Sequence, residues 1–221
     1  MAQSEYTLGA LKQQVYGRLD NNTIFWDSTE VNSIINEAMR VTNLICGWYQ
    51  GTLQQTSVAG KLVYTTPTGM IFPQRCQFNG TQLDPIPITR IGQDYRTWAT
   101  DNSNKDGPVS RWIPIGINYF CLHPVDSIGG NDIYLTGVIE TPVLVNDSDV
   151  IVMEDQYSTM VVEYCAERLP LKLGGSNFAQ ASQGYSRIFL PAMKAMTNNK
   201  KTSFPRYFVL TGKPTTEDNT T

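Results

Sequence analysis

His123 is the only histidine in the 221-residue chain, so any chemistry that needs an imidazole must be built on it. In "YFCLHPVD", residues 119–126, it ends an apolar, strand-like run and precedes a proline. That is the setting of a structural strand-end residue, and the sequence offers a Ser/His/Asp arrangement no further motif. Paired carboxylates could serve glycoside hydrolysis, and the pairs available are Glu154 with Asp155 and Asp147 with Asp149. Both flank an expected helix start, where acidic side chains favour the helix dipole. Cys46, Cys76, Cys121 and Cys165 lie far apart and form no CxxC pair. A zinc or redox site lacks its usual spacing, and buried free thiols are the plainer reading. The Asp and Glu residues show no clustered ligand spacing either. The run "LGGSN" at 173–177 reads as a glycine break before a helix rather than a phosphate cradle, and neither GxxxxGKS nor GxGxxG occurs. No catalysis, cofactor or metal is expected.

Nucleic-acid binding has more behind it. From 168 to 213 the charged residues are Arg168, Lys172, Arg187, Lys194, Lys200, Lys201, Arg206 and Lys213, with no Asp or Glu among them. Phe189, Phe204, Tyr207 and Phe208 interleave with these cations, the mixture that suits phosphates and stacked bases. Against this, the formal net charge is −3 and no recognition motif is present. A solvated face or a protein contact is the preferred reading, since basic tails also dock on acidic protein surfaces. Hydrophobic residues make up 41% and charged residues 17%, the balance of a globular protein with a neutral polar surface. The start, "MAQSEYTLGALKQQ", has neither the basic opening nor the apolar segment of a secretory signal, and no apolar run is long enough to span a bilayer. Synthesis in the cytosol is expected.

The elements that would position these groups are well punctuated. A first helix is expected after a Thr7 cap, with Leu8, Leu11, Val15 and Leu19 as its stripe and a turn at Asn21-Asn22. In the second, Asp27 caps and Glu30 reaches back as in a capping box. Val31, Ile34, Ile35, Ala38, Val41, Thr42 and Ile45 recur at helical spacing, opposite Asn32, Ser33, Asn36, Glu37 and Arg40, and Gly47 supplies the stop. From Gly51 the period becomes alternating, with turn signals at Ala59-Gly60, Asn79-Gly80 and Gly129-Gly130. Asn79-Gly80, between "RCQF" and "TQL", predicts a tight hairpin. Further strands are expected at 110–115, 117–122 and 133–139, a short helix at "GQDYRTWA" (92–99), and a solvated loop at 100–108.

The helical period returns after "VNDSDVIVMEDQ": Met153, Tyr157, Met160, Val161, Tyr164, Cys165 and Leu169 fall on one face. A fourth helix is expected after Ser176, with Pro170 and Pro191 shortening or kinking the pair. The fold class is therefore α+β: a helical bundle from N- and C-terminal helices, with an inserted antiparallel β domain and an extended C-terminal tail. The boundaries fall at 1–50 for the N-terminal helical hairpin, 51–149 for the β domain, 150–200 for the C-terminal helices and 201–221 for the tail.

"TLGALKQQVYGRLD", "FWDSTEVNSIINEAMRVTNLICGWYQGTLQQTSVAGKLVYTTP", "GPVSRW" followed by "CLHPVD", and "NDSDVIVMEDQYSTMVVEYCAERL" together resemble the head-to-tail adaptor proteins of tailed bacteriophages, similar in layout to the tail tubular protein A type. The resemblance spans about residues 6–190. It implies a structural virion protein at the head-tail junction. Copies would form a homo-oligomeric ring, commonly a dodecamer, beneath the portal protein, and would carry the tail or nozzle protein. Packaged DNA would pass through the channel without sequence-specific binding, and no membrane is involved. It also implies a C-terminal segment reaching along the portal, a position held here by Lys200, Lys201, Phe204, Arg206, Tyr207 and Phe208. Asn102, Asn104, Lys105 and Asp106, in the 100–108 loop, are the expected tail-side contacts. The alternatives are another connector part, a head-completion stopper or tail terminator, or a DNA-binding module.

Overall fold

The computed structural model describes residues 3–19, 24–94 and 107–173. Within them the chain is α+β. Strand β1 (Gln3–Thr7) runs into helix α1 (Leu8–Arg18), and α2 (Ser28–Cys46) follows. Strand β10 (Val150–Glu154) likewise runs into α4 (Asp155–Arg168). β1 and β10 form an antiparallel ribbon with Tyr6 opposite Ile151. Because each strand leads directly into a helix, this pairing sets α1 beside α4. The N–H groups of Leu8 and Gly9 donate to the carbonyls of Asp149 and Asp147, so the connection before β10 closes the first turn of α1.

The expected caps form. Thr7 Oγ1 accepts from Ala10 N–H at 3.1 Å and Asp27 Oδ2 from Thr29 N–H at 3.0 Å. Gly47 takes the left-handed conformation (φ 59°) that ends α2. The capping box is the exception, because Glu30 is drawn away to Lys172 at 2.7 Å. Leu8, Leu11 and Val15 of α1, Val31, Ile35, Ala38 and Met39 of α2, and Tyr157, Val161 and Cys165 of α4 share one apolar cluster with Ile151 and Met153 of β10. Met153 thus belongs to a strand and not to the helical stripe in which its spacing put it. Residues 150–154 are strand because Ile151 and Met153 alternate inward while Val150 and Val152 face out. Pro170, which has no N–H to give, falls in a 3-10 turn, Leu169–Leu173, that finishes α4.

The β region consists of two four-stranded sheets. One has the order β2 (Gln50–Thr56), β9 (Asp132–Ile139), β4 (Met70–Phe78), β5 (Thr81–Gln82). The other has the order β3 (Val63–Thr65), β8 (Tyr119–His123), β7 (Arg111–Ile115), β6 (Asp84–Pro85). Leu135, Ile133 and Cys76 from the first pack with Trp112, Phe120, Leu122 and Tyr64 from the second. Asn79 and Gly80 both have positive φ, 48° and 77°, and join β4 to β5 as the Asn-Gly signal predicts. Two details differ from expectation. β6 and β7 pair in parallel, since the chain between them leaves and returns to the same end. The short helix, α3 (Ile88–Asp94), begins four residues before the predicted 92–99 span, because Pro87 opens it by accepting from Arg90 and Ile91. Under it Ile86, Ile91, Ile113 and Cys121 make a second, smaller cluster.

Candidate functional site

The helical part and the β region are joined where the chain leaves α2 through Trp48 and Tyr49 and where it returns through Ile139. Asn43, fully buried on α2, stands at that crossing. Its Oδ1 accepts from Tyr49 N–H at 2.9 Å and its Nδ2 donates to Ile139 O at 2.7 Å. Ile139 N–H in turn donates to Tyr49 O at 3.1 Å. These bonds close a ring in which one side-chain amide replaces a peptide group and extends the β2–β9 ladder onto the helix. Only a group with one acceptor and one donor at that reach satisfies both strands.

Asn36, two turns earlier on α2, repeats the device. Its Oδ1 accepts from Leu144 N–H at 2.8 Å and its Nδ2 donates to Leu144 O at 2.9 Å. The returning segment is thus held along α2 at both asparagines, with Leu144 turned into the helical cluster and Val143 and Val145 turned outward. Sequence reading placed Asn36 on the polar side and passed over Asn43. A signal existed for the latter: it lies four residues after Met39 on the apolar stripe, where a poor helix former has no other reason to sit. Trp48 stacks on Tyr157 of α4 at 5.8 Å and packs the joint from its other side.

Two further contacts fix the corner at which the 3-10 turn ends. Lys172 pairs with Glu30 and lies over the rings of Phe25 (5.2 Å) and Trp26 (6.0 Å). Tyr164 O–H donates to Glu37 Oε1 at 2.7 Å. Position 173, where the described chain stops, is therefore held close to the start of α2.

The opposite end of the β2–β9 ladder is organised around Asp126. Its carboxylate accepts from Ser57 Oγ (2.5 Å), Asn131 Nδ2 (2.9 Å) and the amides of Ile128 and Gly129 (3.1 and 3.2 Å). Burial alone pushes its pKa up, but the bonds from Ser57, Asn131 and the two amides outweigh that and hold the carboxyl below its ordinary value. The loops that it ties together present Val58 and Ile128 to solvent, 53% and 82% exposed. They form an apolar tip on a rigid base.

The chemistry-bearing residues of the sequence fall into plain roles. His123 ends β8 and is buried, and burial first and the Arg111 charge second push its pKa down. Burial pushes the Cys76 and Cys121 thiols up to about 12 and Cys165 up as well, so at neutral pH they are un-ionised. Asp147 pairs with Lys12, Asp149 accepts from the amides of Asn146 and Val145, and Asp155 accepts from Tyr6 O–H. All are employed in shaping the entry to β10 and α4. Among the described residues no group of His, Cys, Asp and Glu is gathered as metal ligands, and no helix is long and apolar enough to cross a membrane. Lys200, Lys201, Phe204, Arg206, Tyr207 and Phe208 lie outside the described residues, as do Asn102, Asn104, Lys105 and Asp106, Tyr95 and Trp98, and the helix expected after Ser176.

What the described part offers is thus a scaffold: two bodies of secondary structure joined through a hydrogen-bonded crossing, with solvent-facing apolar side chains at the ends. No curated protein matches the chain. The model of the SU10 adaptor protein family matches residues 6–212, nearly its whole length. The chain therefore belongs to the SU10 adaptor protein family, a family of phage structural adaptors.

Proposed function

We propose that this chain is the head-to-tail adaptor of its virion: copies form a ring, most simply a dodecamer, that joins the portal protein to the tail or nozzle protein and lines the DNA exit channel. The observation that carries this reading is the Asn43 crossing. An adaptor must keep a fixed geometry between two sets of partners, and a crossing whose backbone bonds close through one buried side chain is the means of doing so.

In this reading the chain works as four parts: the hairpin 1–50 and the helices of 150–200 form one bundle, 51–149 is the inserted β domain, and 201–221 is the tail. The portal contact is made by Lys200, Lys201, Phe204, Arg206, Tyr207 and Phe208. The position of Lys172 supports it, since the chain proceeds towards that segment from a fixed corner. The tail-side contact is made by the loop with Asn102, Asn104, Lys105 and Asp106. DNA passes without sequence-specific binding, and the formal net charge of −3 suits a channel that must not hold phosphate tightly.

The test is deletion of residues 202–221. The truncated subunit is expected to fold, by circular dichroism and thermal melting, and to fail to join capsids that carry a portal but no tail. Continued joining rejects the tail as the portal contact. The mass of the assembled ring separates a dodecameric adaptor from a stopper or tail terminator. Salt-sensitive DNA binding in the absence of any portal binding would transfer the function to nucleic acid.

A further inference from the structure

Strand β2 is the end strand of its sheet, and among the described residues only β9 pairs with it. Natural sheets block such edges with charges, prolines, bulges or short length, because a row of unpaired amides and carbonyls is a template for another chain. The other strands of the β region that end a sheet follow this rule. β5 and β6 have two residues each, β6 includes Pro85, and β3 has three residues. β4 carries two register shifts around Pro73. β2 has none of these features. It is seven residues, "QGTLQQT", with no charge, no proline and an unbroken register against β9.

The direction of its free groups follows from the ladder. Ile139 N–H donates to Tyr49 O at one end, and Ser57 N–H donates to Asn131 O at the other. Odd-numbered residues therefore bond inward to β9, and the amides and carbonyls of Gln50, Thr52, Gln54 and Thr56 point to the open edge. Both ends of the strand are fixed, by Asn43 at Tyr49 and by the Asp126 cluster at Ser57. The template is thus already ordered before anything docks, which lowers the entropic cost of adding a strand.

We propose that the open edge of β2 is a contact between copies of this chain, in which an extended segment of a neighbouring copy adds to the sheet beside β2. Neutrality points to a like neighbour. Copies arranged side by side in a ring bring the same charge pattern to every contact, and like charges facing each other across a strand pair are destabilising. The edge residues Gln50, Thr52, Gln54 and Thr56 carry no charge. The nearby Asp132 is engaged by Gln54 Nε2 at 2.8 Å. The inference rests on the reading that copies assemble, and it names the surface through which they do so.

Amide hydrogen exchange tests it on the full chain, alone over a concentration series and loaded on portal-bearing, tail-less capsids. In the monomer the amides of Thr52 and Gln54 are expected to exchange fast while those of Leu53 and Gln55 are protected. On assembly the whole of 50–56 is expected to become protected. Thr52→Lys, at an exposed position outside the inward ladder, is expected to keep the monomer's melting temperature and to raise the concentration at half-assembly about fivefold, while Thr52→Ser assembles normally. Rings that form with Thr52 and Gln54 still exchanging as in the monomer overturn the edge contact and leave the ring standing. Protection on capsids loaded so sparsely that copies have no neighbours assigns the edge to the portal protein and overturns the second-copy occupant. Absence of any assembly overturns the edge contact and the ring together.

Discussion

Asn43 and Asp126 stand at opposite ends of one pair of strands, about 20 Å apart along β2, and close the ends with different chemistry. The joint uses a neutral amide that both gives and receives, because one strand offers it an N–H and the other a C=O. The tip uses an acceptor-only carboxylate, because everything around it is a donor: a hydroxyl, an amide side chain and two backbone N–H groups. A charge at the joint would meet a carbonyl oxygen in a fully buried place. A neutral amide at the tip would turn its own N–H groups towards other donors. The two ends are therefore not interchangeable, and they should respond to acid in opposite ways once one is made to resemble the other.

The largest effect is expected from Asn43→Asp. At neutral pH it puts a carboxylate against Ile139 O in a dry site, which should cost about 3–5 kcal/mol of stability. Its folded-state pKa would lie above the unfolded value, so the folded form binds more protons and stability falls as pH rises. Lowering the pH should recover part of the loss, because a protonated acid can donate to Ile139 O and still accept from Tyr49 N–H. Urea melts of the variant from pH 7 to pH 4 check this; a loss that stays constant with pH would mean that Asn43 acts by shape alone.

A smaller effect is expected from Asp126→Asn, about 2 kcal/mol, since charge-assisted bonds are replaced by mismatched ones. Here the wild-type pH dependence has the other sign. The Asp126 carboxyl titrates below its ordinary value of 3.8, so the unfolded state binds more protons. The stabilisation is complete above that value and is lost as pH falls through the folded pKa. Wild-type melts below pH 4 should therefore lose stability that the Asn variant has already lost. Parallel curves for the two would separate the tip from the acid response.

The smallest effect belongs to the corner. Lys172→Ala removes a half-exposed ion pair with Glu30 and two ring contacts, and is expected to cost about 1 kcal/mol or less. Its interest lies outside stability. If this corner directs the following segment, the variant should join portal-bearing capsids more weakly while melting almost as the parent does. Unchanged joining would confine the lysine to local packing.

The neutral β2 edge adds a contrast of the same kind within one sheet. β4 is bent by bulges and a proline and meets nothing further along most of its length, whereas β2 is straight and uncharged. The sequence "QGTLQQT" displays the composition of that edge but not the fact that it is an edge, since strand order depends on partners far along the chain.

Much of this protein was determined by its sequence alone. The caps at Thr7 and Asp27, the stop at Gly47, the Asn79-Gly80 turn and the end of α4 near Pro170 were all legible, because each depends on the backbone preferences of a few adjacent residues. The α+β order was legible for the same reason, as a change of period from 3.6 to 2 and back. Only the tertiary structure decided the rest. β1 and β10 are strands because they find each other across about 145 residues, and a two-stranded ribbon has no local signature strong enough to outbid the helices that follow it. Asn36 and Asn43 owe their roles to backbone groups that arrive from Leu144, Tyr49 and Ile139. A side-chain amide on a helix looks the same in a sequence whether it faces water or completes a sheet, and only the partner delivered by the fold makes the difference.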